Sequence, residues 1–237
     1  DSQASVGAGF VVDAAGLAIT NYHVVSQFAL RPERYRLAFT MAQGRSGTAE
    51  LLAIDVIHDL ALLRLRGAEG AAPIDFTPLP FRSASAPLAK GERLYTLGNP
   101  LDVGFAVVEG VYNGLVERSF LPQIFFGGSL NPGMSGGPAV DDAGRVIGVN
   151  VAARRDGEQV SFLVPAHLAS ALLQRGREAT AQTQPMYAEV TRQLKVHQAA
   201  LVDAFVAQPW RSANHARYRV PVPQETFMRC WGSTSPE

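Results

Sequence analysis

Residues 131–138 read Asn131-Pro132-Gly133-Met134-Ser135-Gly136-Gly137-Pro138. A glycine at 133 permits a backbone turn that most residues resist. Such a turn can aim several backbone N–H groups at one point, where a carbonyl oxygen gaining negative charge would be stabilised. Ser135 stands beside that point as a candidate nucleophile. A serine hydroxyl is a weak nucleophile alone, so this chemistry demands a base elsewhere in the chain. A Gly-rich hairpin loop with an incidental serine fits the same eight residues. What decides is whether a histidine and an acid occur in suitable settings.

One histidine does. Residues 5–12 read as a strand with glycines, Asp13-Ala14-Ala15-Gly16 as a hairpin turn, and Leu17-Ala18-Ile19-Thr20 as the return strand. That strand runs into Asn21-Tyr22-His23-Val24-Val25, which sets His23 at a strand end before a short apolar turn, well placed to face a cleft; a core or surface histidine fits the same residues. A candidate acid follows in Ile57-His58-Asp59-Leu60-Ala61-Leu62-Leu63. Asp59 opens a leucine-rich strand, where a carboxylate is costly to bury without a partner. Asp55 is its rival, but only Asp59 immediately precedes the leucines. His58 adjoins Asp59, and neighbours along a strand point to opposite faces, so it should not compete with His23.

The rest of the chain sets these residues in a β-rich frame. Residues 36–41 and 48–54 read as further strands, and 67–90, rich in Ala, Pro, Gly and Ser, as the connection between two halves. The second half holds strands at 92–97, in two runs around Gly110 within 104–117, and at 122–127. A hairpin after Ser135 turns at Asp141-Asp142-Ala143-Gly144, and a last strand spans 160–164. Pro165 opens a helix that ends at Gly176. Many short strands with helices only at the end indicate an all-β barrel or sandwich class. After a linker at 182–185, the apolar residues Tyr187, Val190, Leu194, Leu201, Val202 and Phe205 recur at helical spacing up to Pro209. That stripe should pack on the barrels, on a second copy of the chain or on another partner. Trp210, Tyr218, Phe227 and Trp231 suggest packed structure beyond it.

Composition excludes several classes. The 237 residues are 47% hydrophobic and 18% charged, as in globular proteins. Lys+Arg and Asp+Glu are both 21, so charge makes no case for nucleic acid or anionic lipid. One cysteine, Cys230, allows no intrachain disulfide and reads as a buried or incidental thiol rather than a nucleophile. No apolar run reaches membrane-spanning length, and no signal-peptide pattern is present.

Three settings in the order His23, Asp59, Ser135 match the order of the chymotrypsin-like triad. Thr20-Asn21-Tyr22-His23-Val24-Val25, Asp59-Leu60-Ala61-Leu62-Leu63 and Gly133-Met134-Ser135-Gly136-Gly137-Pro138 resemble the histidine, aspartate and serine signatures of trypsin-like serine proteases. Residues 7–12, Gly98-Asn99-Pro100, Val146-Ile147-Gly148-Val149-Asn150 and residues 160–165 resemble the HtrA/DegP-like branch in particular. The resemblance covers roughly residues 5–175.

It implies a chymotrypsin-like fold of two six-stranded β-barrels, about 1–80 and 81–165, with C-terminal helices and the site in the cleft between the barrels. The protease domain would span 1–178, and 179–237 would add a linker, an amphipathic helix and an aromatic tail. The implied activity is serine endopeptidase on polypeptide substrate, with no cofactor and no metal. His23 would be the base, Asp59 its orienting partner, and the N–H groups of Gly133 and Ser135 the oxyanion hole. Leu130, Val151 and Ala153 fall where the family lines its first specificity pocket. All are apolar, so a small or medium aliphatic residue before the cut should fit and a cationic one should not. Met134 departs from the pattern: trypsin-type enzymes carry aspartate there and HtrA-like ones often asparagine. The alternative is a catalytically silent peptide-binding scaffold of the same fold; an esterase-like hydrolase using the same triad is a third. The family often carries PDZ domains. About 60 residues after the barrels are too few for the usual arrangement, so the helix and tail replace it or the sequence is a piece of a longer one. The resemblance also favours an extracytoplasmic, for example periplasmic, location.

Overall fold

The computed structural model describes residues 5–83, 85–100, 104–117, 119–153, 161–215 and 217–222, with 152–153 and 214–215 described through their backbone alone. The first half contains β1 (Phe10–Val11), β2 (Leu17–Thr20), α1 (Tyr22–Leu30), β3 (Ala38–Thr40), β4 (Ser46–Asp55) and β5 (Leu60–Gly67). Its strands form one antiparallel sheet in the order β1-β2-β5-β4-β3. The leucine run of β5 lies at the centre, and both of its faces are buried. Leu60 and Leu62 enter one apolar cluster, while Ala61, Leu63 and Leu65 enter another. A strand buried on both sides needs a continuous apolar sequence rather than an alternating one.

Among the described residues this half-barrel and the closed barrel of the second half bear out the expected chymotrypsin-like double-barrel fold, with five strands rather than six in the first half. The two-residue β1 and three-residue β3 at its edges are too short to close on each other. Helix packing does what closure would have done. Val25 and Ala29 of α1 cover the second cluster with Met186.

The second half is a closed barrel in the order β10-β11-β8-β7-β6-β9. Its strands are β6 (Arg93–Gly98), β7 (Ala106–Leu115), β8 (Ile124–Gly127), β9 (Pro138–Val140), β10 (Val146–Ala153) and β11 (Ser161–Pro165). Residues 104–117 hold one ten-residue strand, β7, with buried Gly110 inside it, and not two runs. Leu94, Ile124, Phe126, Met134, Ile147 and Leu163 fill the interior.

Helix α2 (Ala166–Gly176) starts after Pro165 and joins the halves. Its Ala169, Leu172 and Leu173 pack in one cluster with Ile19 and Leu62 of the sheet and with Val146 and Val149 of the barrel. Fully burying a leucine is worth roughly 1.5–3 kcal/mol over leaving it exposed, so this helix fixes how the sheet and barrel meet.

Helix α3 (Tyr187–Ala207) follows, then the hairpin of β12 (Arg211–His215) and β13 (Tyr218–Val222). The helix lies where the apolar spacing put it, but its stripe is not buried against the sheet or the barrel. No residue of α3 is buried, and Tyr187, Leu194 and Val202 are 53%, 48% and 52% exposed. Val190 alone of the expected stripe packs on the sheet cluster. Phe205 meets Trp210 edge to face, with ring centroids 4.9 Å apart. Tyr218 is exposed, and Phe227, Cys230 and Trp231 lie outside the described residues. Among the described residues no helix is long and apolar enough to cross a membrane.

Candidate active site

Gly136 brings the serine loop against the first half. Its φ is +87°, and a Cβ there would lie 2.3 Å from both the Ala8 carbonyl oxygen and Thr20 Oγ1. Only glycine accepts both the left-handed backbone and that approach. The loop is held by hydrogen bonds from Ala8 N–H to Ser135 O at 2.7 Å and from Gly136 N–H to Asn150 O at 2.8 Å. Thr20 Oγ1 donates to Ala8 O at 2.7 Å and completes the junction. The first half, the N-terminal stretch and β10 thus converge on Ser135.

His23 does not end a strand. It is the second residue of α1, which begins directly after β2. The buried Asn21 takes the N-cap position in extended conformation, with no side-chain cap. Its amide instead donates to Asp59 O at 2.8 Å, and Tyr22 N–H donates to the same oxygen at 3.1 Å. Asp59 is the last residue of the turn between β4 and β5, not the first of the strand. Its φ is +55°, and it is the non-glycine residue with positive φ among those described. Its carboxylate accepts from His23 N–H at 2.8 Å and pairs with His23 Nδ1 at 2.6 Å. Two contacts to one histidine fix both the ring's position and which nitrogen faces away. Burial, and then the negative charge of Asp59, raise the Tyr22 phenol above its ordinary value.

Asp55, the rival acid, engages a different histidine. His58 lies in the turn, and its Nδ1 sits 3.1 and 3.0 Å from the two carboxylate oxygens of Asp55. Strand alternation is thus not what separates His58 from His23; a turn hydrogen bond is.

Ser135 Oγ donates to the carbonyl oxygen of Val151 at 2.7 Å. The β10–β11 register shifts between Asn150 and Ala152, and Val151 stands in that irregularity. A bulge leaves the extra residue without its ladder partner, and the serine hydroxyl takes its carbonyl. Among the described residues, His23 and Ser135 share no hydrogen bond.

Gly133 has φ +93°, and neither its N–H nor that of Ser135 donates to a protein acceptor among the described residues. Between them Met134 is fully buried in the barrel interior. A Cβ on Gly98 would lie 2.8 Å from Met134 Cα and 3.1 Å from its Cγ, so the glycine of Gly98-Asn99-Pro100 makes room for this side chain. Leu130 is 4% exposed and packs in the same interior, its N–H donating to Ser161 Oγ at 3.0 Å. Val151 is half-buried beside Ser135, and Ala153 pairs with Ser161 in the ladder, its side chain lying outside the description.

Two asparagines support this arrangement without any sign of it in the sequence. Asn150, fully buried, donates to Leu97 O and Met134 O, both at 3.2 Å, and ties the serine loop to β6. Asn21 ties the histidine helix to the turn of Asp59. Both stood inside signature stretches, but an asparagine in a strand or before a histidine carries no sign of its long-range partner.

The chain belongs to the trypsin-like peptidase family, whose peptidase-domain model matches residues 7–149. Within it the chain falls on the HtrA/DegP-like branch. It is 29% identical over 177 residues to the putative serine protease HhoA of Synechocystis, covering 71% of this chain and 42% of that protein. It is 32% identical over 186 residues to the mitochondrial serine protease HTRA2 of Bos taurus, covering 73% and 37%. The chain thus spans about two-fifths of the length of these relatives. Among solved structures, the serine endoprotease from Yersinia pestis matches with a TM-score of 0.62 at 24% identity, over 75% of this chain and 61% of that one. The HtrA-type protease AlgW, solved with a decapeptide, matches with a TM-score of 0.63 at 26% identity, over 73% and 52%.

Proposed function

We propose that this protein is a serine endopeptidase that hydrolyses polypeptide through His23, Asp59 and Ser135. The observation that carries the reading is the two-point clamp of Asp59 on His23. A carboxylate on Nδ1 fixes the tautomer that leaves Nε2 free to accept a proton. In the proposed reaction Ser135 Oγ turns from Val151 towards His23, loses its proton to Nε2 and attacks the peptide carbonyl. The N–H groups of Gly133 and Ser135, which donate to no acceptor among the described residues, receive the oxyanion. His23 then passes the proton to the leaving amine, and water repeats the sequence on the acyl-enzyme. Losing one oxyanion donor typically costs about 3 kcal/mol of barrier. The apolar character of Leu130, Val151 and Ala153 supports a preference for small or medium aliphatic side chains before the cut.

The bond from Ser135 to Val151 favours a second reading, a peptide-binding scaffold without turnover. A fluorophosphonate probe separates the two. Labelling of the wild type that is lost in Ser135→Ala supports the peptidase. An unlabelled wild type that still binds peptide supports the scaffold.

A further inference from the structure

The C-terminal helix α3 meets the body at a telling place. Gln193 Nε2 donates to Ile54 O at 2.8 Å, and Gln193 Oε1 accepts from Val56 N–H at 2.8 Å. One side-chain amide thereby pairs with the backbone on both sides of Asp55, as a neighbouring strand would. That backbone is the end of β4, where Ile54 pairs with Ala61 and Asp55 with Leu60. The turn of residues 56–59 hangs from it, and Asp59 is its last residue.

Gln193 is itself held. Its Nε2 also donates to Glu189 Oε1 at 2.7 Å, and Arg192 grips the Glu189 carboxylate at 2.8 and 2.7 Å. The same turn is braced from α2. Arg175 Nη2 reaches Asp55 Oδ2 at 3.3 Å, beside the His58 contacts. Burial alone would raise the Asp55 carboxyl, but the His58 hydrogen bonds, its charge and Arg175 bring it below the ordinary carboxylate range. Apolar docking of α3 is slight, with Met186 just before it and Val190 as its contacts to the sheet cluster. Its specific polar contacts to the body concentrate on the turn.

The far end of that turn carries a non-glycine residue at positive φ, a conformation that persists only where its surroundings over-determine it. Tyr22 and Asn21 hold the carbonyl side of Asp59. What holds the approach to it is Gln193, with Asp55 and His58.

We propose that Gln193 is a positioning residue: through Ile54 and Val56 it sets the turn that presents Asp59 to His23, so that α3 contributes to turnover without touching substrate. The proposal rests on the reading of Asp59 as the acid that orients the base.

Gln193→Met keeps the side-chain volume and removes both amide hydrogen bonds. With a peptide substrate, kcat should fall about tenfold with KM within about twofold, because misplacing a catalytic group by a fraction of an ångström acts on the chemical step. The low-field proton resonance of the short His23 Nδ1 to Asp59 hydrogen bond should shift or broaden in this variant. Val190→Ala, which trims an apolar contact of α3 and leaves the Gln193 hydrogen bonds in place, should lower the Tm and leave kcat unchanged. In an Asp59→Asn background, Gln193→Met should add little, since residues acting through one another are not additive. A full tenfold loss on top of Asp59→Asn, or an unchanged kcat in Gln193→Met, overturns the positioning role. If Asp59→Asn itself turns over like the wild type, the assignment of Asp59 fails instead.

Discussion

The hydroxyl of Ser135 and the carbonyl oxygen of Val151 are joined by a 2.7 Å hydrogen bond. The proton that His23 would take is therefore directed at β10, and a change of the Ser135 rotamer must precede attack. Removing the hydroxyl leaves one half-buried carbonyl without this donor, a cost of about 1 kcal/mol. Ser135→Ala should thus fold and melt close to the wild type, while peptide hydrolysis falls by at least about a thousandfold. Calorimetry beside a peptidase assay checks both halves; hydrolysis near the wild-type rate would remove Ser135 from the mechanism.

Gly136→Ala should cost far more than an exposed substitution. Its Cβ would meet Ala8 O and Thr20 Oγ1 at 2.3 Å, and the backbone stands at φ +87°. Strain of this kind costs roughly 1–3 kcal/mol before any clash is counted. The expected result is a lower urea midpoint together with lost peptidase activity, because relief must push the serine loop away from β2.

Met134 has no room for a charge. It is fully buried among Leu94, Phe126 and Leu163. Met134→Leu conserves volume and should cost less than about 1.5 kcal/mol. Met134→Asp buries a carboxylate without a partner and should leave little folded protein at neutral pH. Circular dichroism melts of the two variants give the comparison.

Asp141 supplies a pH signature of stability. It is 4% exposed at the β9–β10 turn. Burial would raise its carboxyl, but the N–H groups of Arg145 and Ala143 and the Arg145 guanidinium bring it below its ordinary value. Arg82 reaches the same carboxylate at 3.3 Å. A depressed carboxyl stabilises the fold above its unfolded value, near pH 3.9, and that stability is lost as pH falls through the folded value. Asp141→Asn should therefore lie about 1–3 kcal/mol below the wild type at pH 7. The gap should narrow as pH drops below about 4. A gap that is constant from pH 7 to pH 3 in urea titrations would refute the account.

How legible each part was follows from how local its cause is. The leucines of β5, the turn at Asp13–Gly16 and the helix after Pro165 are written in neighbouring residues. So is α3, whose apolar spacing is real although Tyr187, Leu194 and Val202 of its stripe stay exposed on this chain. The helical setting of His23 was hidden because Asn21 serves a carbonyl 38 residues away rather than its own helix. The open first sheet was hidden too, since closure depends on edge strands two and three residues long. Gln193 gave no signal: its backbone partners lie 139 and 137 residues earlier.

The left-handed backbone of Asp59 sets two kinds of selection against each other. Glycine would relax position 59, and asparagine tolerates that conformation well, yet neither can hold an imidazolium with a carboxylate. A library sorted for thermal stability alone should therefore drift towards Gly or Asn at 59, and one sorted for turnover should return aspartate. The residue that evolution keeps there would be a record of which pressure the lineage last met.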